Sequence, residues 1–254
     1  MNPTQAARIA CYQDTKDRTQ SKPPPPPSKK YTWSFKEIPR PYTTTQIEVV
    51  DADTIDCALQ WASRGYKPLV LNLASDAHPG GGVERGAAAQ EESLFRRTNY
   101  WQTLRRRMYP LGRYDAVYSP GISVIKTAEH TGWQPLPLPH PQLDFIACPA
   151  IRHPHLTAGR LDPKEEADYK KKIELILQVA VANGHDCVIF GAMGCGAWRN
   201  PPEHIAEIFK EVLVEHNGAI RAAVFAVLNL SAAAYGSYAA LSASNYDVFK
   251  SVLE

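Results

Sequence analysis

Two glutamates stand side by side, Glu91 and Glu92, near the start of the stretch AAAQEESLFRRTNYWQTLRRRM, and seven residues separate the triplet Gly80-Gly81-Gly82 from Gln90. Neighbouring carboxyls can give and take protons, so acid–base chemistry is the first expectation. The stretch reads as one helix packed through Leu94, Phe95, Thr98, Trp101, Leu104 and Met108. Counted back in steps of three and four, both glutamates border that apolar face. Partial burial would raise a carboxyl pKa, and the helix amino terminus would lower it. The sequence leaves that balance open. Acidic residues in a first helical turn also have an ordinary use in offsetting the helix dipole. That use does not account for the glycines, which lose conformational entropy on folding and add nothing to a core. Their expected purpose is a bare backbone surface against which a ligand can lie.

A second glycine cluster, FGAMGCGAW at 190–198, follows a strand and precedes a helix. Gly191, Gly194 and Gly196 would let successive amides turn toward one anion. No Lys-Ser/Thr pair follows, so this is not a nucleoside-triphosphate loop, and the spacing is not that of a dinucleotide fingerprint. Cys195 sits where a thiolate would be stabilised. No pattern assigns it a His partner, so it is expected to be a small loop residue and not a nucleophile.

The elements that must position these loops alternate. IEVVDAD (47–53), KPLVLNLAS (67–75), LDFIACPAI (143–151), the start of DCVIFGAMGCGAW (186–198) and AIRAAVFAVLN (219–229) read as strands. AVYSPGISVIK (116–126) is strand material broken at Pro120-Gly121. TIDCALQWASR (54–64) reads as a helix capped by Asp53 or Thr54. Helices are also expected over 163–184, 201–218 and 244–254, the first two closing on Asn-Gly. Strands apolar on both faces between amphipathic helices predict a three-layer α/β/α domain, with ligands at the carboxyl ends of the strands. Residues 1–30 are expected to be a polar segment and an exposed linker, SKPPPPPSKK, because consecutive prolines favour an extended spacer. Their removal is expected to leave catalysis largely unaffected. The functional domain is then 31–254.

Several classes are excluded. A net charge of +2 does not argue for nucleic acid, and Arg105-Arg106-Arg107 reads as a solvated helix face. No run is long and apolar enough for a membrane span or a signal peptide, and five scattered cysteines form no CxxC pair, so an intracellular protein, cytoplasmic or nuclear, is expected. His153-Pro154-His155 has no neighbouring ligand pattern and reads as a loop, so no metal is expected.

The order Gly-Gly-Gly, seven residues, Gln-Glu-Glu resembles the signature of the poly(ADP-ribose) glycohydrolases, a catalytic branch of the macrodomain fold. The text VLNLASDAHPGGGVERGAAAQEESLFRRTNYWQTL is most similar to their bacterial or microbial type, and the likeness continues through VYSPGISVIK, FIACPAI and FGAMGCGAWRNPPEHIAEIFKEVL. It implies a three-layer fold with a mixed central sheet, no cofactor, and metal-independent hydrolysis of the O-glycosidic links of poly(ADP-ribose). It implies Glu92 as catalytic acid and Glu91 as the residue orienting the ribose. Gly80, Gly81, Gly82 and Gln90 would line the substrate. Gly194, Cys195, Gly196 and Ala197 would bind the diphosphate, Asn72 the ribose pocket, and Phe225 and Asn229 the adenosine end. Adjacent helical residues diverge by about 100°. That suits one acid and one orienting group better than two opposed carboxylates. The partners implied are ADP-ribosylated proteins or the polymer, with neither membrane nor nucleic acid.

Two stretches depart from the pattern: charged Val83-Glu84-Arg85 after the glycines, and SAAAYGSYAALSASNYD near the carboxyl end. Two rival readings stay open. A mono-ADP-ribosyl hydrolase would act on a modified side chain such as arginine, with Glu84 suited to a cationic leaving group. A non-catalytic ADP-ribose reader would keep the glycine loops but could dispense with the two glutamates.

Overall fold

Apolar runs at 69–71, 187–190 and 222–226 are buried at every position. Strands covered on both faces need no polar alternation, which is why these segments read as continuous hydrophobic stretches. The computed structural model describes residues 3–229 and 244–254, so most of SAAAYGSYAALSASNYD lies outside the described residues. In chain order the elements are α1 (Pro3–Thr19), β1 (Lys29–Thr32), β2 (Gln46–Val50), α2 (Thr54–Ser63), β3 (Pro68–Leu73), α3 (Gln90–Arg97), β4 (Asp115–Ser123) and β5 (Gln142–Cys148). They continue with β6 (Leu156–Thr157), β7 (Arg160–Leu161), α4 (Pro163–Ala182), β8 (Cys187–Phe190), α5 (Pro202–Glu215), β9 (Ala222–Ala226) and α6 (Asn245–Leu253). Seven of these strands belong to a mixed sheet, the α/β class that the sequence implies.

The chain divides into two compact units. The first comprises Met1–Thr32 and Val70–Pro149. Its strands run in the order β1-β4-β5-β3, with β1 and β5 both antiparallel to β4. Pro120-Gly121 does not end β4. The register shifts between Ser119 and Ile122, a bulge accommodated by Gly121 at φ +64°, and the strand runs on. The second unit comprises Trp33–Leu69 and Ala150–Glu254, where β8, β9 and β2 lie side by side and parallel. Helix α2 starts at the expected Asp53 cap, and α4 follows a further aspartate. The Asp53 carboxylate accepts from the amides of Ile55 and Asp56, and the Asp162 carboxylate from that of Glu165 ahead of Pro163.

Two expectations differ from what is found. The helix expected over 87–108 is cut to α3, eight residues long. Thr98 leaves the helix with extended dihedrals and bridges to Val124. Asn99 then exchanges hydrogen bonds with Ser123, donating from its amide to the carbonyl and accepting the Ser123 amide on Oδ1. A β-branched residue offered a strand partner has little reason to stay helical.

The second difference concerns residues 1–30, which group with the first unit and not as a separate segment. Helix α1 buries Cys11, Tyr12, Thr15 and Thr19. The Thr15 hydroxyl donates to the Arg96 carbonyl, and the buried Lys126 ammonium meets the Cys11 carbonyl and the Asp14 carboxylate, each at 2.7 Å. The prolines themselves are mostly exposed, but Pro26 O accepts from the Thr103 hydroxyl, and Ser28 is buried against Thr103 and Ser119. A helix of low amphipathic contrast gave no pattern to announce this docking, because much of it is made by hydroxyls and carbonyls.

Candidate active site

Helix α3 begins without a capping side chain, at Ala89. Its first three residues are turned instead onto the loop that precedes it. The Gln90 amide is spent on β3: Oε1 accepts from the Leu73 amide at 2.9 Å and Nε2 donates to the Leu71 carbonyl at 2.7 Å. Gln90 therefore clamps the helix start to the strand.

Glu91 is buried and accepts three N–H groups. They come from Ser75 at 2.7 Å on Oε2, and from Gly80 at 3.1 Å and Asn72 Nδ2 at 3.3 Å on Oε1. Asn72, itself fully buried, thus holds Glu91. Glu92 is also buried; its Oε1 accepts from the Gly82 amide at 2.8 Å, while Oε2 has no hydrogen-bond partner among the described residues.

This geometry explains the glycines. Gly80 and Gly81 adopt φ of +76° and +51°, which turns the loop amides toward the carboxylates. A Cβ would meet Phe95 Cδ1 at 2.8 Å from Gly80, Glu92 Oε1 at 2.6 Å from Gly81, and Ala87 Cβ at 2.9 Å from Gly82. The space that a side chain would need is therefore taken by α3 and the residue leading into it. The loop folds over the two carboxylates and donates to both. Gly81→Ala is accordingly expected to displace the Glu92 carboxylate and lower turnover about 100-fold, the effect of a misplacement on the order of 1 Å. Steady-state kinetics checks this, and near-normal turnover would mean that Glu92 has room to move.

Removal from water pushes the Glu91 carboxyl up to about 8, and the nearby Glu92 charge adds to the effect; the Ser75, Asn72 and Gly80 donors oppose it without prevailing. The folded state then binds a proton that the unfolded state releases between about pH 4.5 and 8. This contribution to stability is complete at the acid end and is lost as pH rises through that window, at up to about 1.4 kcal/mol per pH unit. Glu91→Gln should flatten that slope. Melting temperatures of both proteins at pH 5, 6, 7 and 8 decide it, and parallel curves would overturn it.

The charged triplet after the glycines is a short 3-10 turn turned toward α1. Val83 is buried, the Arg85 carbonyl accepts from Gln5 Nε2 at 2.8 Å, and Glu84 lies 3.9 Å from Lys16 Nζ.

In the second unit, the loop 194–197 is organised by a residue that sequence reasoning missed. Asn200 Nδ2 donates to the carbonyls of Ile151 at 2.8 Å and Gly194 at 3.0 Å, and Oδ1 accepts from the Tyr169 hydroxyl at 2.8 Å. Gly194, at φ +79°, leaves room for the Asn200 amide and Ala150, which a Cβ would strike. The Cys195 amide is committed to the Ala192 carbonyl at 3.1 Å. The amides of Gly196 and Ala197 donate to no group among the described residues, and both residues are exposed. Desolvation pushes the Cys195 thiol up, away from the thiolate that a nucleophile needs. Ser75 is the other missed residue, since a backbone amide carries no sequence signal. Asn200 could have been suspected as the last polar residue before Pro201-Pro202.

Phe225 is a core residue. It is 0% exposed, stacked on Phe190 with centroids 5.2 Å apart, and edged by Phe209, so its ring has no open face for an adenosine. Asn229 is exposed and donates its amide to Asp51 Oδ1 at 2.8 Å. The described residues therefore gather Asn72, Gly80, Gly81, Gly82, Gln90, Glu91 and Glu92 in the first unit; the 194–197 loop, Phe225 and Asn229 are in the second. No helix among the described residues is long and apolar enough to cross a membrane.

Residues 5–127 match the family model described as "Microbial-type PARG, catalytic domain". This segment begins inside α1 and includes both glutamates and the glycine loop. No match is found among curated proteins. Among solved structures, the chain is similar to the poly(ADP-ribose) glycohydrolase of Thermomonospora curvata, with 23% identity, TM-score 0.76, and coverage of 97% of this chain and 99% of that one. The same enzyme bound to the inhibitor ADP-HPD matches at 24% identity and TM-score 0.76 over the same shares of both chains. The glycohydrolase of Deinococcus radiodurans in complex with ADP-ribose matches at 23% identity and TM-score 0.71, with coverage of 100% of this chain and 97% of that one. Residues 5–127 are thus similar to the microbial-type PARG catalytic domain, and the chain as a whole has the fold of the bacterial glycohydrolases.

Proposed function

We propose that the chain is a poly(ADP-ribose) glycohydrolase that releases ADP-ribose by proton transfer through Glu92. The observation that carries this reading is the unequal treatment of the two carboxylates. Every oxygen of Glu91 is engaged by N–H donors, whereas Glu92 keeps Oε2 buried without a partner among the described residues. A buried polar atom left without a partner costs about 1–3 kcal/mol, which a protonated Oε2 would recover by donating to the glycosidic oxygen of a substrate.

In the proposed step Glu92 gives its proton to the leaving glycosidic oxygen as the C–O bond breaks and positive charge builds at the sugar carbon. A water then attacks that carbon and returns its proton to Glu92, so one water is consumed and two hydroxyls are formed. Glu91, pinned at three points, orients the ribose. In the second unit, the exposed amides of Gly196 and Ala197 suit a diphosphate. The step calls on no metal. The bacterial glycohydrolases bound to ADP-ribose and ADP-HPD support an ADP-ribose ligand here.

The arginine mono-hydrolase reading loses its main support, because Lys16 lies beside the Glu84 that would have met a cationic leaving group. The reader would not need Glu92 held with one oxygen open. The test is release of ADP-ribose from poly-ADP-ribosylated protein, run beside arginine-mono-ADP-ribosylated protein. Release from the mono-modified protein alone would replace the polymer reading, and binding without release from either would favour a reader.

A further inference from the structure

The segment WSFKEIPR at 33–40 holds an aromatic ring in water for no reason that folding supplies. Phe35 is 95% exposed, although its neighbours are fastened. Trp33 Nε1 donates to the Glu174 carboxylate at 2.7 Å, the Ser34 carbonyl accepts from Gln178 Nε2 at 3.0 Å, and Ile38 is buried in the core. The ring is thus displayed by an anchored strip of backbone on α4.

It borders a cavity of about 450 Å3, within the ordinary range for small-molecule sites, that is also lined by Trp33, Lys36, Arg40 and Lys171. Lys36 and Arg40 are exposed and make no ion pair among the described residues, and the Lys171 ammonium stands 5.2 Å from the Trp33 ring centroid. Three carboxylates also line it: Glu37 and Glu215 are exposed, and Glu174 is occupied by Trp33 and lies 3.9 Å from His216.

An open aromatic face beside cations such as Lys36 and Arg40 is the pattern that takes stacked bases and their phosphates from single-stranded polymers. Protein-binding patches, by contrast, are poor in lysine. We infer that this cavity is a second binding site for poly(ADP-ribose), holding an adenine on Phe35 and a phosphate at Lys36 and Arg40 of a unit that is not being cleaved. The inference rests on the glycohydrolase reading above. It gives the polymer a hold that a single ADP-ribose does not need, so it acts on substrate length and not on the chemical step.

The test uses the full chain carrying Glu92→Gln, so that the polymer survives the measurement. Fluorescence anisotropy follows binding of labelled poly(ADP-ribose) of defined length and, separately, of ADP-ribose. Adding Phe35→Ala and Arg40→Ala, both at exposed positions, is expected to weaken polymer binding about tenfold, the loss of one stacked base. It should also reduce the salt slope by a little under one unit, the loss of one phosphate contact. ADP-ribose binding should stay unchanged. Unchanged polymer affinity would overturn the site, and so would equal displacement of the polymer by poly(A) RNA, which would make it a general nucleic-acid surface. A parent that binds neither polymer nor ADP-ribose would bring down the glycohydrolase reading itself, a result distinct from loss of the length effect alone.

Discussion

Glu92→Gln is expected to reduce release of ADP-ribose from polymer by about three orders of magnitude, the upper part of the range for loss of a positioned proton donor. The fold should not register the change. The Gln carbonyl oxygen can keep the 2.8 Å bond from the Gly82 amide, and its NH2 group falls where Oε2 has no partner to lose. Melting temperature and ADP-ribose affinity should therefore stay close to those of the parent while turnover disappears. A variant that turns over polymer within a few-fold of the parent would remove Glu92 from the mechanism. Attention would then move to Glu91, whose carboxyl at about 8 lies in the range of a usable acid.

The second large effect is expected from deleting residues 1–30. The sequence reading treats them as dispensable, and the packing of α1 argues the reverse. Without α1 the buried Gln102 loses the Thr19 carbonyl that its amide donates to, and the Arg96 carbonyl loses the Thr15 hydroxyl. The Lys126 ammonium loses both Asp14 and the Cys11 carbonyl. Each hydrogen bond lost contributes about 0.5–1.5 kcal/mol net and those to the Lys126 charge about 1.5–3 kcal/mol, and the apolar surface covered by Cys11 and Tyr12 is lost with them. Together these approach the whole stability of a domain, about 5–15 kcal/mol. Deletion also uncovers the 3-10 turn at 83–85, which lies under Gln5 and directly follows the glycine loop. Polymer hydrolysis should vanish, and the thermal transition should broaden or drop well below that of the full chain. A truncated protein that melts cooperatively and keeps its activity would show that α1 is ornamental to the first unit.

Much of this protein was legible before any coordinates. The fully buried runs at 69–71, 187–190 and 222–226 are unbroken apolar stretches, and the expected Asp53 cap sits one residue ahead of the helix it starts. Glu91 and Glu92 stood out because adjacent carboxylates beside three glycines lack a structural purpose when read locally. The purpose of the glycines was not legible. It depends on Phe95, Glu92 and Ala87 returning to the loop from the helix and its lead-in, a contact made only when the chain folds back on itself.

The same holds for the shortened α3, where Thr98 and Asn99 leave the helix for a strand 24 residues away in sequence. It holds also for Phe225, which the family resemblance placed at the adenosine end but whose ring packs among three other phenylalanines. Composition and periodicity determined which segments are strands and helices, and residue chemistry determined which groups could move a proton. Tertiary structure alone decided which of the two glutamates keeps an unpartnered oxygen. Hydrogen bonding of a buried carboxylate depends on which amides lie within about 3 Å, and those amides come from loops whose identity is backbone, not side chain.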